Sequence, residues 1–141
     1  LAGGAITWYL VGPPPGLGHW SLALVAIAGA WAIDCCIGAM IGLLAFVAEE
    51  VSAFEWIYSK MTFILGGLLV PLDFYPDWLR AAASHLPFAY IVYGPARCFV
   101  APDPARFLPL LAGQVFWLGV LGGLLWLGYR RGVAHLNING G

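Results

Sequence analysis

Long apolar runs cut by short charged seams constrain this chain more than any other feature. The acidic side chains are Asp34, Glu49, Glu50, Glu55, Asp73, Asp77 and Asp103, and the basic ones are Lys60, Arg80, Arg97, Arg106, Arg130 and Arg131. All except Asp34 fall between, or at the ends of, apolar stretches. That is the arrangement by which hydropathy marks membrane spans. A soluble domain carries about 25% charged residues, and this chain carries 9%, against 62% hydrophobic. Such a sequence lacks the polar side chains needed to clothe a soluble surface. Lipid removes that need, because the outer surface of a helix bundle is then free to be apolar.

The runs divide the chain. Residues 1–11 read as the exit end of a helix too short for the ~20 residues that cross a bilayer, which implies that N-terminal helices of the natural protein are missing. The proline run at residues 12–16 breaks that helix. Residues 20–47 are long enough to span, and their small residues suit close helix–helix approach in lipid. Residues 48–60 read as an exposed turn or short helical connector. Residues 61–72, extended back to Trp56, read as a further span with Trp56 and Tyr58 at interfacial depth.

Residues 73–104 differ in kind, with Pro76, Pro87, Pro95 and Pro102 among alternating aromatic and charged residues. Pro76 at a helix N1 position and Asp77 in the first turn predict a short amphipathic helix. Its periodicity sets Trp78, Leu79, Ala82 and Leu86 on one face, Arg80 and Ser84 on the other. Pro87 ends it, and a partly re-entrant stretch, residues 88–100, follows. Residues 107–127 form a final span, and residues 132–141 a polar tail. The predicted fold is all-α: a polytopic transmembrane helix bundle of about four membrane segments, with a short amphipathic or re-entrant helix on the outer face. Arg130 and Arg131 at the end of the last span predict a cytoplasmic C-terminus. Against that stand Arg80, Arg97 and Arg106, which fall outside on the same count.

Several function classes are excluded or left without residues. The net charge of −1 argues against a nucleic-acid partner. Cys35, Cys36 and Cys98 have neither zinc nor redox spacing, and the three histidines are too dispersed for a helical metal site. The serines lack a G-x-S-x-G context, and no G-x-x-x-x-G-K-[ST] loop is present, so the chain does not itself hydrolyse ATP. No catalytic or metal-ligating residue is expected. Asp34 alone is chemically conspicuous. A carboxylate near the bilayer centre costs ~2.5–3.5 kcal/mol on insertion scales, so it normally faces a partner or a wet cavity. It is either a cation or proton site on a substrate path or a structural hydrogen bond to another helix.

The segments "SAFEWIYSK", "FILGGLLVPLDFYPDWL", "LPFAYIVYGPARCFV" and the tail "YRRGVAHLNINGG" resemble the C-terminal half of permease subunits of bacterial type-2 ABC exporters. The resemblance covers about residues 44–141 and rests on the series Pro71, Pro76, Leu86, Pro87, Phe88, Tyr93, Pro95. It implies that residues 1–141 are the C-terminal part of a single permease transmembrane domain in the bacterial cytoplasmic membrane. It implies a second permease subunit, identical or different, and a separate ATP-binding subunit that binds ATP and magnesium. No cofactor is then expected in this chain, and membrane lipid surrounds it. The role implied for Pro76, Trp78, Leu86, Pro87, Phe88 and Tyr93 is closure of an outer gate. Glu49, Glu50, Glu55 and Lys60 are candidates for contact with the ATP-binding subunit. Two other readings fit the composition: a membrane anchor or scaffold without transport, and an intramembrane enzyme. The enzyme would need polar groups facing one another within spans, and only Asp34 qualifies.

Overall fold

The computed structural model describes residues 17–45, 48, 50–100 and 103–139. The expected helix end at residues 1–11, the proline run and Glu49 lie outside the described residues. Helix α1 is Leu17–Leu44, α2 is Ser52–Leu65, and a single 3-10 turn follows at Leu72–Phe74. Three short helices come next: α3 (Asp77–His85), α4 (Pro87–Ile91) and α5 (Tyr93–Val100). The last helix, α6, is Pro104–Asn139.

Two helices are long and apolar enough to cross a membrane, over Trp20–Leu44 and Pro104–Gly132. Length and hydropathy alone would also admit a soluble core helix. Burial decides: only 17% of the first window and 11% of the second is buried. A soluble core helix would have its apolar surface covered by protein; these leave Leu24, Val25, Trp31, Leu108, Val115 and Phe116 exposed.

α1 and α6 form the spine. α1 turns Ala23, Ala26, Ala30 and Ile33 inward, a stripe at helical spacing whose small side chains admit a close neighbour. α6 answers with Leu110, Gln114 and Leu121. Gln114 meets Ala26, and a Cβ on Gly128 would touch Leu43. Rising numbers pair with rising numbers, so the two helices run parallel. The segment between them must therefore carry the chain back to the side on which α1 began.

The return is not a third straight span. The expected span from Trp56 to Leu72 breaks after Leu65, leaving α2 14 residues or ~21 Å long at 1.5 Å per residue. That is short of the ~30 Å hydrocarbon core. The break is made at Gly67, whose φ of 74° lies where L side chains are strained. There the amides of Leu68 and Leu69 both turn back to the Phe63 carbonyl. The Tyr75 hydroxyl donates to the Ile64 carbonyl at 2.6 Å, which also accepts from the Gly67 amide at 3.2 Å. Of the two readings of residues 48–60, the helical one holds from Ser52, where α2 begins.

The three short helices dip into the bundle. At the lowest point, between α4 and α5, the Tyr90 carbonyl bonds Gln114, ten residues or ~15 Å along α6 from its start. α5 then climbs back antiparallel to α6: a Cβ on Gly94 would meet Leu110, and Cys98 packs in one cluster with Ala26 and Leu110. At the top, Trp20 of α1 meets Phe99 edge to face, with ring centroids 5.5 Å apart. The predicted re-entrant stretch is thus two helices joined by a tight break.

The residue of α3 turned toward the protein is Ala83, with Leu79 half-buried, while Trp78 and Ala82 point outward; Trp78 is 73% exposed. Residues 132–139 are not an irregular tail but the last turns of α6.

Candidate functional site

The α3–α5 connector is held by one polar cluster and two apolar ones. Asp73, in the 3-10 turn, accepts from the Tyr93 hydroxyl at 2.9 Å and from Arg97 Nη1 at 3.0 Å. Arg97 Nη1 also donates to the Tyr93 hydroxyl oxygen, and its guanidinium lies over the Tyr93 ring, 5.6 Å from the centroid. Tyr93 and Arg97 sit one turn apart on α5, so both reach back to the same carboxylate. The Tyr93 hydroxyl first, with Arg97 and then Arg80, holds the Asp73 carboxyl below its ordinary range. Beneath this cluster Leu72, Ala83 and Ala89 are buried, with Leu65, Tyr75 and Tyr93 packed against them.

A group whose folded pKa is depressed contributes stability that is present above its unfolded pKa and lost as pH falls through the folded one. The Asp73 cluster should therefore be intact at neutral pH and should fail below about pH 4, near the ordinary carboxylate range. Thermal melting of the purified protein followed from pH 6 to pH 3 should show a steeper fall for the native chain than for Asp73→Asn. Parallel curves would mean that the cluster does not anchor the connector.

Between α3, α4, α5 and the start of α6 lies a cleft of about 510 Å³. Asp73, Asp77, Arg80 and Arg97 line its rim, and Leu72, Ala89, Pro109 and Leu110 are among its apolar lining. Its charges are already matched, Arg80 to Asp77 at 2.6 Å and Arg97 to Asp73.

Gln114 is the keystone beneath. It is 1% exposed, and its Nε2 donates to the Ala26 carbonyl at 2.8 Å and to the Tyr90 carbonyl at 3.1 Å. A broken helix at membrane depth is tolerated only where its freed backbone groups are buried and satisfied; Gln114 does this for the α4–α5 break. Its Oε1 is buried without a partner.

The residues expected at the gate fall in one region but not in one contact. Pro76 caps α3 and Leu86 is the extended residue between α3 and α4. Pro87 is the buried N1 residue of α4. Phe88 is half-buried, its ring 6.1 Å from that of Tyr58, and Tyr93 belongs to the Asp73 cluster. Trp78 stands apart. Asp34, on α1, accepts a hydrogen bond from the Tyr58 hydroxyl of α2. Of the charged residues expected to contact the ATP-binding subunit, Glu50 accepts from Ser52 at 2.6 Å, Glu55 lies in the first turn of α2, and Lys60 lies over the Trp56 ring at 5.3 Å.

Asp73, Arg97 and Gln114 were not expected as site residues from the sequence, and Tyr58 was expected only at interfacial depth. For Gln114 the signal was present, as an amide within the final apolar run. For Asp73 and Arg97 it was not, since 24 positions separate them. No group of three or more His, Cys, Asp or Glu that could hold a metal occurs among the described residues.

Two parallel apolar helices with lipid-facing surfaces, joined through a re-entrant set of short helices, define an integral membrane protein of the polytopic helix-bundle class. The model of the family described as ABC-2 family transporter protein matches residues 16–140, and the chain belongs to that family. Membership gives it a transporter permease role in a membrane, as a transport component and not itself a catalyst. No curated protein and no solved structure matches the chain.

Proposed function

We propose that the chain is a permease subunit of an ATP-driven exporter, paired with a second permease subunit and powered by a separate ATP-binding subunit. Alternating access in the permease pair would move the cargo across the cytoplasmic membrane. The observation that carries this reading is the re-entrant α3–α5 unit, pinned to both long helices through Gln114, in a chain of the ABC-2 family. In this reading α3–α5 is the outer gate. Pro87 and Phe88 are its moving edge, with the Phe88 ring facing Tyr58 of α2. The Asp73–Tyr93–Arg97 cluster is its fixed hinge.

Orientation follows from the basic residues. Arg130 stacks on Trp126 at 4.7 Å, as an interfacial anchor does, and with Arg131 it makes the C-terminal end of α6 cytoplasmic. Arg80, Arg97 and Arg106 at the opposite end are each ion-paired with an aspartate. Glu50 and Glu55 would then lie on the cytoplasmic side, within reach of the ATP-binding subunit, while Lys60 stands further along α2, beyond the Tyr58–Asp34 contact.

Impermeant maleimide labelling tests the gate in a background with Cys35, Cys36 and Cys98 replaced by alanine. In the assembled transporter, Phe88→Cys should react at least several-fold faster in one nucleotide state than in the other. Trp78→Cys, 73% exposed in this structure and away from the α4 edge, should react equally in both and serves as the control. Equal labelling of Phe88→Cys with and without ATP would remove the gate from α4.

A further inference from the structure

The cleft between α3, α4, α5 and the start of α6 joins two kinds of surface. Asp73, Asp77, Arg80 and Arg97 line it with charge, and Pro109 and Leu110 of α6 line it with apolar groups. Its volume of about 510 Å³ falls in the ~300–1,000 Å³ range of small-ligand sites. Pro109 and Leu110 lie about 8 Å down α6 from its start, inside the apolar stretch Pro104–Gly132. Leu108 beside them is 71% exposed. The cleft therefore runs from a charged layer at the membrane surface to the top of the hydrocarbon.

The ion pairs in this cleft leave donors unused. Arg80 bonds Asp77 through Nη2 alone, at 2.6 Å, and every side-chain bond of Arg97 runs through Nη1. Nε and the other terminal nitrogen of each guanidinium have no partner among the described residues. Asp77 accepts only at Oδ1. Arg80 from α3 and Arg97 from α5 both act on the Asp73 carboxyl, which brings the two guanidiniums near one another. The guanidinium fork matches phosphate oxygens. The side chains of Arg80 and Asp77 are 48% and 92% exposed, and pairs so exposed contribute little to stability, so exchanging partners costs little. A ligand with both signs of charge satisfies the arginines and the aspartates together. A simple anion would be repelled by Asp73 and Asp77, and a water-soluble ligand would leave the Pro109 and Leu110 wall unused.

We propose that this cleft holds a zwitterionic phospholipid of the surrounding leaflet, its phosphate shared by Arg80 and Arg97, its ammonium at Asp77, and its upper acyl chain against Pro109 and Leu110. Such a lipid is a fixed part of the assembly and not its cargo. It ties α3 to α5 and α6, and so braces the connector from the membrane side. The site is built within this chain and stands apart from the exporter reading. A chain that retained no ATP-binding subunit would sink that reading and leave lipid binding to be measured as before.

The test uses the full-length protein purified with the partners it retains, stripped of lipid in detergent and titrated with palmitoyl-oleoyl phosphatidylethanolamine. Bound lipid is counted by native mass spectrometry, and thermal unfolding is followed in the same samples. The native protein should bind this lipid saturably, several-fold more tightly than phosphatidylglycerol with the same chains, and its melting temperature should rise as the site fills. Arg80→Gln, at an exposed position, should weaken binding about ten-fold through loss of a charge-assisted contact. Asp77→Asn should erase the preference for the ethanolamine headgroup. Equal binding by the native protein and Arg80→Gln overturns the site, as does a native protein with no preference over phosphatidylglycerol. Glycerophosphoethanolamine, the headgroup without chains, should not compete at the same concentration; full competition would make the ligand a soluble phosphodiester and overturn the lipid. If Arg80→Gln fails to fold, an unchanged headgroup preference in Asp77→Asn overturns the assignment instead.

Discussion

Gly113→Ala should destabilise the protein by ~1–3 kcal/mol, the usual range for overpacking a tight site. A Cβ at Gly113 would stand 2.0 Å from Cε1, 2.5 Å from Cζ and 2.9 Å from Cδ1 of Tyr90. That is a collision with the body of a ring, not with the end of a flexible chain. Tyr90 cannot simply retreat, because its carbonyl is held by Gln114 and its ring packs against the cluster of Ala26, Cys98 and Leu110. Either the ring is expelled or α4 moves away from α6. Tyr90→Ala removes the obstacle, so the double variant should cost less than the sum of the two single ones by 0.5–3 kcal/mol, about the range for residues in contact. Thermal or denaturant unfolding in detergent reads all four corners of the cycle. Additive costs would mean that α4 does not sit where the structure has it.

Gly29→Ala should have an effect of similar size by a different route. Its Cβ would lie 2.3 Å from Gln114 Oε1 and 2.8 Å from Cδ. The amide is fully enclosed, so relief requires breaking the bonds to Ala26 and Tyr90. Each is worth ~0.5–1.5 kcal/mol net, added to the packing strain. Gly29→Ala combined with Gln114→Ala should recover the packing but not the two bonds. The variants separate strain from polar satisfaction, because Gln114→Ala alone loses the bonds and opens a void. They also bear on the gate. With the α4–α5 break released from α6, Phe88→Cys should label at the same rate in both nucleotide states. Retained nucleotide dependence in Gln114→Ala would show that the gate is governed elsewhere, and a normal melting temperature for Gly29→Ala would show that α1 and α6 are further apart than described.

Parts of this protein were legible before any folding was considered. The runs at residues 20–47 and 107–127 correspond to α1 and the apolar part of α6. The helix start after Pro76 and the helix stop before Pro87 follow from what a prolyl ring does to its own and the preceding residue. The break at Gly66 and Gly67 was not legible, because glycine within a membrane helix is common. Whether such a pair continues or reverses the chain depends on the contacts it can make. Here Leu68 and Leu69 fold back on Phe63, and Tyr75 covers Ile64. Nor could periodicity say that Ala83, and not Trp78, would face the protein, since in lipid both flanks of a short helix are free to be apolar.

Hydropathy and proline are properties of single residues summed over neighbours, so the sequence alone determined the class: a membrane-embedded helical chain with a proline-ruled connector and one carboxylate in its first long helix. The tertiary structure decided what that carboxylate and that connector touch. Asp34 meets Tyr58 across 24 positions, Asp73 meets Arg97 across 24, and Gln114 reaches Ala26 across 88. The Gln114 pairing exists because buried carbonyls must find a partner where water is absent, and in all three cases which partner comes within ~3 Å is settled only when the helices pack.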